Sequence, residues 1–104
     1  MQFLLKNKIL EIKQLCKVLK INKLYAFGSV MSNNFNEDSD VDFIFSFSEK
    51  LTIEQYTNNY FNLHSKLKDI LKREIDLITE KSLSNPYLIE SINKNKVLIY
   101  EAWN

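Results

Sequence analysis

The sequence is poor in the residues that usually form disulfide cross-links, tight turns and bidentate contacts to anions. Its 104 residues include one cysteine (Cys16), one glycine (Gly28), one proline (Pro86) and one arginine (Arg73). A single cysteine excludes an internal disulfide. A single arginine leaves one candidate for bidentate recognition of a phosphate group. Lysines or metal ions would therefore have to bind most of the charge of a phosphorylated substrate.

Long apolar runs and an excess of one charge are also missing. Lys6 and Lys8 interrupt the apolar amino-terminal stretch, which is too short for a signal peptide or a membrane span. The formal net charge of +1 gives no argument for direct binding of nucleic acid or a membrane surface. We therefore expect a cytoplasmic protein with a single domain over residues 1–104, because a chain of this length forms one core.

Hydrophobic periodicity predicts helices that alternate with strands. Apolar residues that recur every three or four positions predict a first helix ending near Lys20, a long helix within residues 48–72 and a short helix that starts at Pro86. Short apolar runs predict strands in "KLYAFGS", "DVDFIFSF", "REIDLITE" and "VLIYEAW". The expected fold is α/β (α+β), with a small mixed sheet of about four strands flanked by helices and "DVDFIFSF" in the centre. The apolar positions of the predicted helices are Leu5, Ile9, Ile12, Cys16 and Leu19; Tyr56, Tyr60, Leu63, Leu67 and Ile70; and Leu88 and Ile92.

Three aspartates stand on predicted strands, although aspartate is depleted there. Residues two apart share one face of a strand, so Asp40 and Asp42 should lie side by side while Val41 points into the core. Asp76 belongs to another strand, and neighbouring strands lie about 5 Å apart. Converging carboxylates suit Mg²⁺, which prefers oxygen ligands and leaves room for substrate phosphates. We predict that Asp40, Asp42 and Asp76 bind metal and are catalytic, in a two-metal site for phosphoryl transfer.

The only glycine precedes a serine, directly after a predicted strand. Glycine lets the backbone turn tightly with no side chain in the way, so an anionic group can approach backbone N–H groups and the Ser29 hydroxyl. We therefore predict that Gly28 and Ser29 bind the phosphates of a nucleotide, facing the metal site.

These motifs resemble those of a known family. "GSVMSNNFNEDSDVD" is similar to the G-S-x10-D-x-D motif of the minimal nucleotidyltransferases of the DNA polymerase β superfamily, and "EIDLIT" resembles their third-carboxylate strand. The order of elements follows the family over nearly the whole chain. The resemblance implies a polymerase β-like nucleotidyltransferase fold, ATP as the nucleotide, Gly28 and Ser29 on its phosphates, and Mg²⁺ on Asp40, Asp42 and Asp76.

The resemblance also implies a partner. The smallest family members are commonly paired with a HEPN-type helical toxin and act as antitoxins that adenylylate a tyrosine of that toxin. Many members have an arginine and a glycine shortly after G-S, where this chain has Ser32 and Asn33. A phosphate contact would then be weaker or come from a lysine.

Two alternatives stay open. The first is a catalytically weak or inactive antitoxin that neutralises its partner by complex formation, and the second is a nucleotidyltransferase acting on a small molecule. The sequence leaves the base preference, the number of nucleotides added, the acceptor residue and the oligomeric state undetermined.

Overall fold

The computed structural model describes residues 3–27 and 40–102, which form three α-helices and one four-stranded sheet. This succession confirms the order of elements predicted from periodicity. In chain order the elements are α1 (Phe3–Val18), β1 (Ile21–Phe27), β2 (Val41–Phe47), α2 (Ile53–Leu71), β3 (Ile75–Thr79), a single 3-10 turn (Glu80–Ser82), α3 (Pro86–Asn95) and β4 (Val97–Glu101).

The sheet is mixed, with the strand order β3-β2-β1-β4. β1 is antiparallel to both β2 and β4, whereas β2 and β3 are parallel. A parallel pair needs a crossover connection, and α2 provides it. The central position predicted for β2 is confirmed, and β3 forms one edge of the sheet.

One face of the sheet carries the main core and is covered by α1 and α2. Alternate residues of β2 point into this core, and Phe43 and Phe45 are at most 1% exposed. Cys16 of α1 is fully buried among them, and burial raises the pKa of its thiol to about 12. The thiol therefore stays protonated and packs as a small apolar group. Helix α2 contributes Leu63, Leu67 and Leu71 to the same layer.

The other face of the sheet is partly covered by α3. Ile44 and Ile92 are 3% and 4% exposed, and with Tyr25 they line a cavity of about 230 Å³ between α3 and the sheet. The Lys96 ammonium group lies 4.2 Å from the centroid of the Tyr25 ring, a cation–π arrangement. β2 is therefore buried on both faces along its middle, as its apolar run predicts.

Side-chain caps define the ends of the helices that follow β2. The Thr52 hydroxyl accepts a hydrogen bond from the Gln55 N–H, and the Gln55 side chain accepts one from the Thr52 N–H, both at 3.1 Å. Such a capping box stabilises a helix by about 1 kcal/mol. Helix α3 begins with Asn85 as N-cap and Pro86 at its first position, as predicted.

Two predicted apolar positions are wrong. Tyr56 is 39% exposed although it lies on the same side of α2 as Leu63, because it is in the first turn of the helix, before the buried residues begin. Leu88 of α3 is 46% exposed, and the buried contact of this helix is made by Ile92.

Within residues 3–27 and 40–102, no helix has the length and hydropathy required to cross a bilayer.

Candidate active site

Two of the predicted acidic residues lie directly opposite each other on neighbouring strands. The parallel register of β2 and β3 pairs Asp42 with Asp76, between the pairs Val41–Ile75 and Phe43–Leu77. Val41 and Phe43 are buried in the helix-covered core, so the two aspartates point to the opposite face. Asp42 is half-buried and Asp76 is exposed.

Asp40 lies immediately before β2 and is exposed. It is close enough to Asp42 to act on it electrostatically. The pKa of Asp42 is raised from 3.8 to about 6, mainly by partial burial and then by the negative charges of Asp76 and Asp40. The three predicted carboxylates therefore share one end of one face of the sheet.

The acid cluster, Asp40, Asp42 and Asp76, does not have the geometry of a finished metal centre. Over the described ranges, no group of three His, Cys, Asp or Glu side chains is arranged so that it could hold a metal ion. The donors do fit a hard divalent cation by their chemistry, because carboxylate oxygens are the ligands that Mg²⁺ prefers. The structure thus places suitable donors near one another without a complete coordination shell.

The predicted phosphate-binding residues, Gly28 and Ser29, lie outside the described residues, as do Ser32 and Asn33. The last residue described before them is Phe27, whose partner in the antiparallel pair with β2 is Asp42. The assignment of Gly28 and Ser29 to phosphate binding stays a prediction.

Two side chains of α2 contact the backbone of the strand that carries Asp76. The Tyr60 hydroxyl donates a hydrogen bond to the Leu77 carbonyl oxygen at 3.0 Å. The His64 Nε2 atom lies 2.9 Å from the Ile75 carbonyl oxygen, and because a carbonyl only accepts, Nε2 is the donor. The sequence analysis did not predict these two contacts, although the spacing of four residues on one helix was visible.

Residues 8–103 match the family model described as "Polymerase beta, Nucleotidyltransferase". The chain belongs to the polymerase β nucleotidyltransferase family. This agrees with the resemblance seen in the G-S and D-x-D motifs.

Individual relatives of this nucleotidyltransferase include a candidate protein adenylyltransferase of Methanocaldococcus jannaschii, which is 31% identical over 87 residues that span 84% of this chain and 85% of the relative. Among solved structures, a candidate minimal nucleotidyltransferase superposes with a TM-score of 0.69 at 26% identity, over 89% of this chain and 90% of that one. The tri-AMPylated Shewanella oneidensis HEPN toxin in complex with MNT antitoxin gives a TM-score of 0.64, over 93% of this chain and 72% of that one. At 19% identity this last likeness shows a shared fold alone.

A larger cavity of this nucleotidyltransferase is separate from its acid cluster. The cavity has a volume of about 670 Å³ and lies at the carboxyl end of β2, where Phe47, Tyr56 and Thr79 are among the residues that line it. Asp40, Asp42 and Asp76 lie at the other end of β2 and β3 and do not line the cavity. A metal–phosphate site depends on charged donors more than on a deep apolar cavity, so the acid cluster is the better candidate for the chemistry.

Proposed function

We propose that this protein is a Mg²⁺-dependent nucleotidyltransferase that transfers AMP from ATP to a hydroxyl group of a partner protein. The observation that carries the proposal is the pairing of Asp42 with Asp76 across two parallel strands in a member of this family. The partner would be a HEPN-type toxin, which the protein neutralises as its antitoxin. The relative named as a candidate protein adenylyltransferase and the fold shared with an MNT antitoxin support this choice.

In this proposal the acid cluster binds Mg²⁺ as a two-metal site. Asp42 and Asp76 project from paired strands, whose backbone hydrogen bonds fix the separation of their side chains. Asp40 stands at the entry to β2 and completes the set. Bound Mg²⁺ would supply neutralisation of phosphate charge and activation of the acceptor hydroxyl.

The phosphates of ATP would be bound by the turn that follows β1. Gly28 and Ser29 come directly after Phe27, the register partner of Asp42, so the sequence leads from the edge of the acid cluster into the G-S motif. Because Ser32 and Asn33 replace the arginine and glycine of many relatives, we propose that a lysine supplies the remaining phosphate contact.

The transfer itself needs no covalent enzyme intermediate. The oxygen of the acceptor hydroxyl forms a bond to the α-phosphorus of ATP, and the bond from that phosphorus to the oxygen bridging to the β-phosphate breaks. Pyrophosphate leaves with that oxygen, and the hydroxyl proton passes to water. The residues of the chain contribute position and charge, which is the usual division of labour in phosphoryl transfer.

The acceptor in this proposal is a tyrosine of the partner protein. Residues 1–104 would form one domain, whose acidic face is presented to the second protein.

The single cysteine is buried and reduced, consistent with a site of action in the cytoplasm.

The decisive experiment is incubation with a HEPN-type helical toxin, the proposed class of partner, together with ATP and Mg²⁺. We expect the mass of the partner to rise in steps of one adenylate, with the modification on tyrosine. The Asp42→Asn variant should still bind the partner, because the interface surrounds the site, but should leave its mass unchanged.

Other outcomes would support the alternatives. If wild type and Asp42→Asn neutralise the partner equally with no change in its mass, the protein is a binding antitoxin and its aspartates are idle. If ATP is consumed only when small hydroxyl compounds are present, the acceptor is a small molecule. Either result would overturn the proposed transfer to protein.

A further inference from the structure

Among residues 3–27 and 40–102, the strand that carries Asp76 has a neighbouring strand on one side only. β3 lies at the edge of the sheet beside β2, and the Val41 N–H donates to the Glu74 carbonyl oxygen at 3.0 Å. Backbone groups of successive strand residues point alternately to the two sides. The Ile75 and Leu77 carbonyls, on either side of Asp76, therefore point away from β2 towards the open edge.

Helix α2 supplies hydrogen-bond donors to both of these carbonyls. The Tyr60 hydroxyl is 3.0 Å from the Leu77 oxygen, and His64 Nε2 is 2.9 Å from the Ile75 oxygen. One helical turn separates the two donors by about 6 Å, and two strand residues separate the two acceptors by about 6.6 Å. Because these spacings nearly match, one face of the helix can hold two successive outward carbonyls of the strand.

We propose that Tyr60 and His64 are positioning residues of the acid cluster. They hold β3 at the carbonyl groups of Ile75 and Leu77, the residues on either side of Asp76, and so keep the Asp76 carboxylate opposite Asp42 although like charges push these side chains apart. They act through the backbone of β3 and touch neither substrate nor metal. This inference rests on the proposed function, because it assigns the purpose of the contacts to metal binding at the acid cluster.

The Tyr60 ring is held independently of its hydroxyl. It packs against Phe45 with 5.9 Å between ring centroids. Tyr60→Phe therefore removes one hydrogen bond and leaves the ring packing in place. Tyr56 on the same helix gives a matched control. Its ring packs on Phe47 with 5.0 Å between centroids, and Tyr56→Phe removes the same hydroxyl group while leaving the hydrogen bonds to Ile75 and Leu77 in place.

The first test uses metal-free protein and direct metal binding. In Tyr60→Phe combined with His64→Met, amide hydrogen exchange in residues 75–79 should be faster than in wild type. Calorimetry with Mg²⁺ should show affinity lowered by about tenfold, within the range typical of residues that orient metal ligands. Tyr56→Phe should match wild type in both measurements.

The second test separates positioning from general stability. The Mg²⁺ concentration giving half the maximal transfer rate should rise, while the rate at saturating Mg²⁺ stays within about twofold of wild type. His64→Gln, which keeps an N–H donor at similar reach, should recover most of the metal affinity that His64→Met loses. If the variants lower the denaturation midpoint but leave exchange in β3 and metal affinity unchanged, the contacts are only structural and the inference is wrong.

Asp76→Asn distinguishes this inference from the proposed function. If Asp76→Asn transfers AMP at the wild-type rate, the proposed site fails. If Asp76→Asn is inactive while Tyr60→Phe with His64→Met binds Mg²⁺ as wild type does, only the positioning inference fails. Tyr60→Phe alone serves the same tests if the double variant does not fold.

Discussion

The two faces of the β2–β3 pair are built from alternate residues of the same strands, yet they differ in almost every physical respect. On one face Val41 and Phe43 are fully buried beneath α1 and α2. On the other face, one residue away along the chain, Asp42 and Asp76 stand side by side as like charges. A shift of one residue in register would exchange the two sets.

This difference teaches that the two faces make opposite contributions to stability. Burial of large apolar side chains stabilises the fold by roughly 1.5–3 kcal/mol for each residue. Partial burial of the Asp42 carboxylate and the like charges of Asp76 and Asp40 destabilise it, as the raised pKa of Asp42 indicates. The core face thus holds in place an acidic face that would not persist by itself, and four predictions test this contrast.

The largest expected effect is the loss of transfer when one carboxylate of the acid cluster is made neutral. Asp42→Asn or Asp40→Asn should slow AMP transfer by more than about a hundredfold. Each variant loses a charged metal ligand, which should cost more than the loss of a residue that only orients a ligand. The free energy of unfolding of the metal-free protein should be unchanged or slightly increased, since repulsion is relieved. Transfer assays and denaturant titrations would measure the two effects, and wild-type rates in both variants would remove the catalytic assignment.

The neighbouring residue on the opposite face should behave in the reverse manner. Phe43→Ala should lower the free energy of unfolding by about 3–5 kcal/mol, because it leaves a cavity in a fully buried position. Denaturant titration would measure this loss. A cost below about 1 kcal/mol would show that the helix-covered face is loosely packed, and the contrast between the faces would then be unsound.

The next prediction asks whether the acidic face extends into the G-S turn. Ser29→Ala should weaken nucleotide binding by about threefold to tenfold, the usual effect of one hydrogen bond, and leave Mg²⁺ binding unchanged. Gly28→Val should weaken it more, because a branched side chain obstructs the approach of phosphates to the backbone. Calorimetry would measure both, and unchanged nucleotide affinity in both variants would make the turn structural only.

The smallest effect concerns pH. The pKa of Asp42 is raised in the folded protein to about 6 from the ordinary 3.8, so its protonated form favours folding. The stability advantage is complete below the unfolded pKa and disappears as the pH rises through about 6. In metal-free protein, the free energy of unfolding of wild type relative to Asp42→Asn should therefore fall between about pH 4 and 6 and then level off. If the difference in the free energy of unfolding between wild type and Asp42→Asn is constant across that range, the raised pKa is contradicted. As a control, Phe43→Ala should keep the wild-type pH dependence.

The fold was largely predictable because its elements have clear periodicity. The three- and four-residue steps of α1 and the alternation in β3 are local patterns, and the order of elements followed from them. The juxtaposition of Asp42 and Asp76 was also accessible, since each is the second residue of its strand and parallel strands that start together align such positions.

What could not be predicted depends on where the helices cross the sheet. Tyr56 lies on the apolar stripe of α2, but it stays 39% exposed at the amino-terminal end of the helix. The donor role of Tyr60 towards Leu77 requires an edge strand with outward carbonyls, and a single sequence does not show which strand lies at the edge. The roles of Gly28 and Ser29 are predictions from their motif alone.

The parallel connection through α2 also has consequences for the order of events in folding. Asp42 and Asp76 are 34 positions apart in the sequence, and they meet only when the whole crossover has closed. Contacts between distant residues form late, because the entropy of loop closure must be overcome first. A nascent or partly folded chain would therefore have only one side of the acid cluster, and Mg²⁺ would bind appreciably only to the completed domain. Metal-dependent activity would then begin with the last step of folding, so that unfinished chains would not consume ATP.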